Sequence, residues 1–431
     1  MAVAPGTGGQ FDGTYVSAPH HYCVGILGRG PAHVVLDGFT FETPGVTGVY
    51  VEASHVTVRR SWFRGCHAGV TGNYTDKPPA PVSKDDAYGK EYITMRLDPV
   101  SQARAASDIV IEYCDFTQFP TFEDAVDSIR AHGRTGMARK SAHPGGGGLP
   151  TDHFKYEIGI AARIARNWVI RHNLVHSVFD GLSCHAVSAS QGLRVEENVF
   201  QGVVDNGVES EDHAQDLHLV RNVFVDNFMP FSYQPIRGTP WPGPVFFVQN
   251  VVTYTSQYRD VWSGYRTRKV FKIHPFQWKG KITWLPHMAG AEGEQPVPEP
   301  GLVVAHNTVL FPGGLLGIPA NWPHQRYVNN LFVVSRTDRS IEGSQFRCNA
   351  VAPAAAGEPG PSKETAGNGG FVLPNQAAAR LDAKLRPTDG SPLRDRAVPV
   401  PQANLNLADI GAVQTKDTWY PLAVGPLACK E

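Results

Sequence analysis

A short pattern of hydrophobic and polar positions recurs along this chain. Each copy reads apolar-x-apolar-x-x-Asn-x-Phe/Val, and the three clearest copies place Asn173, Asn198 and Asn222 at steps of 25 and 24 residues. Apolar residues within each copy alternate with period two, which is typical of strands, whereas a helical repeat would show a period of about 3.6 residues. A fixed period of this length indicates a repeat architecture. The pattern therefore predicts an all-β fold, a right-handed parallel β-helix solenoid with one coil per period.

The asparagine position extends beyond the three central coils. It is occupied by Asn250, Asn307, Asn330 and Asn349 downstream, and by Cys114, Ser61 and Asp37 upstream. Stacked coils lie about 4.8 Å apart, so one position per coil forms a column. Amides in such a column pass hydrogen bonds from coil to coil and satisfy buried backbone groups. Asparagine is also an ordinary turn residue, but its recurrence in phase with the same apolar neighbours favours an asparagine ladder.

The period divides the chain into a solenoid and a C-terminal segment. Residues 1–351 are predicted to form about nine or more coils, with residues 1–30 as an N-terminal coil or cap. Residues 352–431 are rich in Ala, Pro and Gly and lose the period. Because an open solenoid end exposes unpaired strand edges, we interpret this irregular segment as a C-terminal cap. Three polar insertions interrupt the coils, at residues 74–107, 130–154 and 275–300.

The three insertions are predicted to follow the same strand of their coils, which reads GVTGN, AVDSI and VFKIH. Loops at one phase emerge on one edge of a solenoid, and such an edge usually carries the binding face. Alternate residues of that strand point outward. The first predicted outward column is Tyr50, Thr71, Asp127, Ser183, Glu209, Ser232 and Lys272. The second is Glu52, Asn73, Ile129, His185, Glu211, Gln234 and His274.

This alignment gathers charged side chains on one face. The catalytic candidates are Lys272, His185, Glu209, Asp127 and Asp180. Neighbouring coils lie about 5 Å apart and alternate coils about 10 Å apart, which covers the carboxylate separations of roughly 5 to 9.5 Å used in glycoside cleavage. A solvated strand is polar on its outer face in any case, which explains one or two such residues but not the carboxylate density of VDNGVESEDH.

Repulsion among those carboxylates would be costly without a cation or a catalytic role. Asp205, Glu209 and Glu211 are therefore candidate metal ligands, and Ca²⁺ is the candidate ion because it prefers oxygen ligands. No organic cofactor is expected. Substrate contacts are expected from basic and aromatic residues, because guanidinium groups grip carboxylates and aromatic rings stack on sugars. These candidates are Arg130, Arg237, His274, Arg266 and Trp278.

Composition narrows the classes of partner. The 39 basic and 40 acidic residues nearly balance, so nucleic acid is not expected as a binding partner. No run approaches the ~18 apolar residues of a membrane span, and no signal peptide is visible. The six cysteines contain no CxxC pair, so neither a disulfide framework nor a zinc site is indicated, and Cys114 and Cys184 are predicted to be small core residues. We expect a monomer.

Over about residues 33–349 the coil pattern resembles the right-handed parallel β-helix proteins of the pectate-lyase-like superfamily. The segments LRPTDGSPLRD and ADIGAVQ also resemble the closing segment of many secreted bacterial β-helix proteins. Most characterised enzymes of that superfamily act on polysaccharides, so the resemblance implies a carbohydrate-active enzyme that is secreted or periplasmic. The chain lacks the polygalacturonase pattern and the chondroitinase-B-type signature, so no catalytic residue is carried over from a family.

Three functions are compatible with this face. The first is a lyase that cleaves a uronic-acid-containing glycan by β-elimination, in which Lys272 or His185 removes the C5 proton and a bound cation or an arginine neutralises the uronate. The second is a glycoside hydrolase that uses Glu209 with either Asp180 or Asp127 as a carboxylate pair. The third is a non-catalytic solenoid that binds glycans or acts at a surface.

Overall fold

The chain winds repeatedly through parallel sheets. The computed structural model describes residues 22–28, 30–42, 47–72, 106–131, 158–162, 164–184, 192–210, 215–233, 243–255, 268–272, 276–278, 281–283, 301–316, 324–336 and 344–428. The N-terminal elements are β1 (Tyr22–Ile26), β2 (Pro31–Asp37), β3 (Thr40–Glu42), β4 (Thr47–Val51), β5 (Ser54–Arg59), β6 (Trp62–Arg64), β7 (Ala68–Gly72), β8 (Ile109–Glu112), β9 (Asp115–Thr117), α1 (Phe122–Ala131) and β10 (Ile158–Ala162).

The central strands are β11 (Val169–Arg171), β12 (Leu174–His176), β13 (Leu182–Ser183), β14 (Arg194–Glu196), β15 (Val199–Gln201), β16 (Asn206–Glu209), β17 (Leu217–Val220), β18 (Val223–Val225), β19 (Met229–Ser232), β20 (Val245–Val248), β21 (Val251–Thr253) and β22 (Lys269–Lys272). The remaining elements are β23 (Phe276–Trp278), β24 (Lys281–Thr283), β25 (Leu302–Ala305), β26 (Thr308–Leu316), β27 (Gln325–Val328), β28 (Leu331–Arg336), β29 (Ser344–Arg347), β30 (Ala350–Pro353), α2 (Lys363–Ala366) and β31 (Phe371–Val372). Three short 3-10 turns follow, at Gln376–Ala379, Pro401–Ala403 and Pro426–Ala428.

Three parallel sheets form the walls of the solenoid. Sheet I has ten strands in the order β2-β5-β8-β11-β14-β17-β20-β25-β27-β29. Sheet II contains β3-β6-β9-β12-β15-β18-β21-β26-β28-β30-β31. Sheet III contains β1-β4-β7-β10 and β13-β16-β19-β22-β26, and its two parts meet where the Gly159 and Ile160 amides donate to Asp180 and Gly181. The predicted parallel β-helix solenoid is therefore confirmed, and sheet I gives ten coils in the part of the chain that is described.

The asparagine ladder is present and continuous from Asn173 to Asn349. Each side-chain amide donates to the carbonyl oxygen of the next asparagine, at 2.9 Å from Asn173 to Asn198 and 3.0 Å from Asn198 to Asn222. The bonds then continue through Asn250, Asn307, Asn330 and Asn349. The residue before each ladder position is left-handed, as at His172 (φ 54°). The ladder thus satisfies buried polar groups at a tight turn that repeats in every coil.

The upstream end of the ladder corrects one prediction. Cys114 and Ser61 occupy the predicted position, because the Cys114 amide donates to Asn173 Oδ1 and Ser61 lies in the same turn one coil earlier. Asp37 does not occupy it. The strand register pairs Asp37 with Arg59, so the ladder position of the first coil falls on Phe39, whose amide donates to Ser61 Oγ. Asp37 instead accepts from Arg59 Nε at 3.0 Å on the outer surface of sheet I.

The predicted strand AVDSI is wrong, because these residues lie in helix α1. Thr121 caps the helix by exchanging hydrogen bonds with Asp124. Phe122, Ala125 and Val126 have the i, i+3, i+4 spacing of an amphipathic helix and are buried on one side. The strand of this coil in sheet III is β10, which comes after the second predicted insertion. That insertion therefore precedes its strand, whereas the first and third follow theirs.

The first coil and the C-terminal segment also differ from simple caps. Strand β1 lies within the predicted N-terminal coil or cap and pairs with β4, and β2 follows directly after it and pairs with β5, while residues 1–21 are outside the described range. At the other end β31 pairs with β30, and the chain then doubles back along the solenoid. Val400 packs on sheet I, Val413 packs on sheet II, and the Gly425 amide reaches the His172 carbonyl. None of the described helices is long and apolar enough to cross a membrane.

Candidate functional site

One row of polar residues crosses four neighbouring strands of sheet III. The register pairs Ser183 with Glu209, Glu209 with Ser232, and Ser232 with Lys272. The row beside it, which is Leu182, Val208, Phe231 and Phe271, lies in the main hydrophobic core. Because successive residues of a strand face opposite sides, the polar row faces away from the core, as the alternation predicts. We call Ser183, Glu209, Ser232 and Lys272 the polar row.

A hydrogen-bonded group of two carboxylates and one amide borders the polar row. Asp180 Oδ1 accepts from the Asn206 backbone amide at 2.8 Å and from Asn206 Nδ2 at 3.1 Å. The same Nδ2 donates to Glu209 Oε1 at 2.6 Å. Asp180 Oδ1 and Glu209 Oε1 both accept from this one nitrogen, so the two oxygens lie no more than about 6 Å apart. This distance is close to the spacing of the two carboxylates in retaining glycosidases. This group brings together two of the predicted catalytic residues.

These side chains are buried. Glu209 and Lys272 are each 2% exposed, and Asp180, Asp205 and Asn206 are exposed by 2% or less. Burial of charged groups is costly unless they are paired and hydrogen-bonded, so proteins concentrate such groups where they have a role. The face therefore combines a general base candidate, carboxylates and hydroxyls in a shielded environment.

Helix α1 forms the wall beside the two carboxylates. Phe122, Ala125 and Val126 pack with Phe179, Val204, Phe228 and Met229 in a small separate cluster. Phe179, Val204 and Phe228 lie in the turns that lead into β13, β16 and β19, next to Asp180 and Asp205, and Met229 is the first residue of β19. The helix thus anchors the turns that position the carboxylates, although the sequence pattern had suggested a strand there.

Several predicted site residues are not part of this geometry. His185, Glu211, Arg237, Arg266 and His274 lie outside the described residues. Asp127 and Arg130 are on helix α1 and not on the sheet III strand, so the predicted column position of Asp127 is wrong. Trp278 is on β23, in a hairpin with β24. Substrate contacts by Arg130, Arg237, His274, Arg266 and Trp278 therefore remain predictions.

The predicted calcium ligands were Asp205, Glu209 and Glu211. Within the described ranges, no three His, Cys, Asp or Glu side chains are placed to share a metal ion. Asp205 and Glu209 alone do not make up a calcium site, and Glu211 is outside those ranges. Calcium binding by Asp205, Glu209 and Glu211 therefore remains a prediction.

Asn206 is the functional candidate to which the sequence had assigned no role. It is the first residue of β16 and is level with Asp180 one coil earlier, which places it on the border of the polar row. Its Oδ1 is buried and accepts no hydrogen bond from any residue that the structure describes. The only signal for it in the sequence was its phase relative to Asp180.

No protein-family model matches the chain, and no curated protein matches it. Among solved structures the chain is similar to the crystal structure of pectate lyase Pel9A, with 11% identity, a TM-score of 0.37 and coverage of 88% of this chain and 76% of that one. It is also similar to a variant of the PL6 family alginate lyase AlyGC, with 11% identity, a TM-score of 0.35 and coverage of 77% of this chain and 47% of that one. At this level of similarity neither structure bears on the activity of this chain, whose parallel β-helix is evident from its own strand pairing.

Proposed function

We propose that this protein is a carbohydrate-active enzyme that cleaves a uronic-acid-containing polysaccharide by β-elimination on the polar row of sheet III. The observation that carries the proposal is the shared register of Glu209 and Lys272, with Ser232 between them. Strands two apart in a sheet are separated by about 10 Å. A span of this length matches the size of one sugar ring together with the side chains that would contact it.

The chemistry assigned to these residues follows from their positions. Lys272 Nζ, as a neutral amine, takes the proton from C5 of the uronate. The electron pair of the C5–H bond forms the C4–C5 double bond, and the bond from C4 to the glycosidic oxygen breaks. Glu209, in its protonated form, donates a proton to that leaving oxygen. The products are an unsaturated uronide and a new hydroxyl group, so atoms and electrons balance.

The test is a panel of uronans and neutral glycans, each assayed with and without calcium and with a chelator. Ultraviolet absorbance reports the new double bond, and a reducing-end assay reports every cleavage. The proposal predicts that both signals rise together on at least one uronan. Reducing ends without absorbance would contradict β-elimination, and the chelator arm decides whether the expected Ca²⁺ is needed.

A glycoside hydrolase is the second candidate, and the Asp180–Asn206–Glu209 group favours it. Two carboxylates held within about 6 Å suit a retaining mechanism, in which one acts as nucleophile and the other as acid and base. This function predicts reducing ends without absorbance. It also predicts that Asp180→Asn and Glu209→Gln abolish cleavage while Lys272→Met retains it.

Binding without any product would support the non-catalytic glycan-binding solenoid and contradict both enzymatic proposals. In that case the affinity for the bound glycan would survive Glu209→Gln and Lys272→Met. We also propose that the protein is exported from a bacterial cell, where polysaccharides of this class are accessible, and that it is a monomer. Cell fractionation and light scattering of the purified protein test these two expectations.

A further inference from the structure

The side-chain amide of Asn206 joins two buried carboxylates. Nδ2 donates to Asp180 Oδ1 at 3.1 Å and to Glu209 Oε1 at 2.6 Å. Oδ1 is buried and accepts no hydrogen bond from any described residue. A buried acceptor without a donor is destabilising. An asparagine with only a packing role would be expected to satisfy both ends of its amide.

The ladder asparagine of the same coil provides the comparison. Asn198 is equally buried, donates to Asn222 Oδ1 and to the Ile170 carbonyl, and accepts from the Asn173 backbone and side chain. Every polar atom of that side chain is satisfied. Asn206 differs because both of its Nδ2 bonds go to carboxylates, which fixes the orientation of the amide. Rotating the amide by half a turn would bring its oxygen against two acceptor oxygens.

We infer that Asn206 is a positioning residue that holds Glu209 beside Asp180 and aligns it in the polar row. The inference rests on the proposed function for the identity of the reaction, but the contact itself is independent of it. Without the amide, Glu209 loses a short hydrogen bond to its Oε1, and Asp180 loses its side-chain link to Glu209. Asp180 would then keep the bond from the backbone amide of residue 206, which the substitution leaves in place.

The test compares Asn206→Ala with Asn198→Ser in the full-length protein. The first readout is the titration of the Glu209 carboxyl carbon in ¹³C-glutamate-labelled protein, with Glu209→Gln to assign the signal. Loss of a donor to the ionised carboxylate makes that form less favourable. Glu209 should therefore titrate at higher pH in Asn206→Ala than in the wild type, and at an unchanged pH in Asn198→Ser. Both variants should melt at a lower temperature than the wild type.

The second readout is catalysis on whichever glycan the panel identifies. Asn206→Ala should lower kcat by at least tenfold, with a smaller change in KM and a pH profile shifted relative to the wild type. Asn198→Ser should leave kcat per folded molecule unchanged. An unchanged Glu209 titration together with reduced stability would overturn the inference and leave Asn206 a packing residue. A shifted titration in a protein that cleaves no glycan would uphold the positioning role and reject the proposed reaction.

Discussion

Glu209 and Lys272 lie in one register row of sheet III, with only Ser232 between them. The two residues belong to strands β16 and β22, and more than 60 residues of chain lie between them. Parallel stacking converts that separation into two strand spacings, or about 10 Å. The solenoid therefore assembles a compact group of charged residues from distant segments without any special loop.

The first prediction concerns the proposed base. Lys272→Met keeps the length and the apolar stem of the side chain but removes the amine, so cleavage of a uronan should fall by about 10²–10⁴-fold, which is the usual contribution of a general base. The measurement is the initial rate of ultraviolet absorbance increase at saturating substrate. The melting temperature of the variant should be within a few degrees of the wild type.

Lys269 at the start of the same strand supplies the matched control. It is partly exposed and lies three residues before Lys272 in β22. Lys269→Met should change the rate by less than about twofold, because a surface lysine outside the row contributes little. Equal losses in the two variants would show that the strand and not the amine was disturbed. A fully active Lys272→Met would remove this lysine from the mechanism.

The ladder was predictable from the sequence for a clear physical reason. Every coil must satisfy the same buried groups at the same turn, so Asn173, Asn198 and Asn222 recur in phase with their apolar neighbours. The prediction was wrong at Asp37, because a polar residue two positions early looked like a member of the series. Strands β2 and β3 of the first coil are edge strands among the described elements, so the turn at Phe39 has no described coil stacked on its outer side and tolerates a residue other than asparagine.

The polar row was predictable in part. Alternation correctly placed Ser183, Glu209, Ser232 and Lys272 on one side of sheet III, because inward positions must be apolar. The same rule failed for Asp127, since the segment Phe122–Ala131 carries both a period-two pattern and a helical one. The hydrogen bonds between Thr121 and Asp124 and the packing of Phe122 on Phe179 stabilise the helix over the strand. Contacts such as Asp180 with Asn206 depend on side-chain rotamers, which periodicity does not specify.

The second prediction tests the ladder itself. Asn222→Ala removes donors to the Val195 carbonyl and to Asn250 Oδ1, and it removes the acceptor of the Asn198 amide groups. Several buried polar groups lose their partners at about 1–3 kcal/mol each. We therefore expect the free energy of unfolding to fall by about 3–5 kcal/mol, measured by urea denaturation.

Asn167→Gly is the control for the ladder, because the backbone at Asn167 is left-handed (φ 57°) and glycine adopts that conformation without strain. Asn167 is exposed and donates one hydrogen bond to Asp108. Its substitution should cost less than about 1 kcal/mol, the usual net value of one hydrogen bond. A similar loss in the two variants would mean that the ladder contributes no more than a surface contact.

The third prediction concerns the cysteines. Cys114 and Cys184 are fully buried, and burial raises the pKa of both thiols, with a smaller contribution from the nearby Glu209 charge at Cys184. The thiolate is the reactive form. Both residues should therefore resist iodoacetamide in the native protein, whereas the partly exposed Cys23 should react. Peptide mass mapping before and after denaturation gives the extent of labelling at each cysteine. If Cys184 in the native protein were labelled as fast as Cys23, the part of sheet III that carries the polar row would open in solution.

The fourth prediction concerns the attachment of the C-terminal segment and its dependence on pH. His306 is fully buried between the solenoid and that segment. Its Nδ1 lies 3.2 Å from the Asp409 carbonyl, and its Nε2 lies 3.0 Å from Asn329 Nδ2. The first contact needs a donor on the ring and the second an acceptor, so the neutral imidazole with its proton on Nδ1 fits both. Burial lowers the pKa of His306 from 6.5 to about 4, against a smaller opposing effect of Asp409.

The sign follows from proton binding. Between about pH 6.5 and 4 the unfolded chain binds a proton at His306 that the folded chain does not, so stability falls as the pH falls through this range. The contribution of the neutral His306 to the free energy of unfolding is fully present above about pH 6.5 and is lost below about pH 4. This contribution amounts to about 3 kcal/mol at most. His306→Gln can keep both contacts without titrating. Urea unfolding across this range should therefore show a weaker pH dependence in His306→Gln than in the wild type.

His218→Gln provides the comparison, since His218 is partly exposed beside Asp216 and makes no contact of this kind. His218→Gln leaves the contact between His306 and Asp409 in place, so this variant should keep the pH dependence of unfolding that His306→Gln loses. Limited proteolysis at about pH 4.5 should also cut the wild type within residues 352–428 before it cuts the coils, as Asp409 and its neighbours separate from His306. Equal pH dependence in all three proteins would mean that acid destabilises the molecule through its carboxylates alone and that His306 does not link protonation to the attachment of this segment.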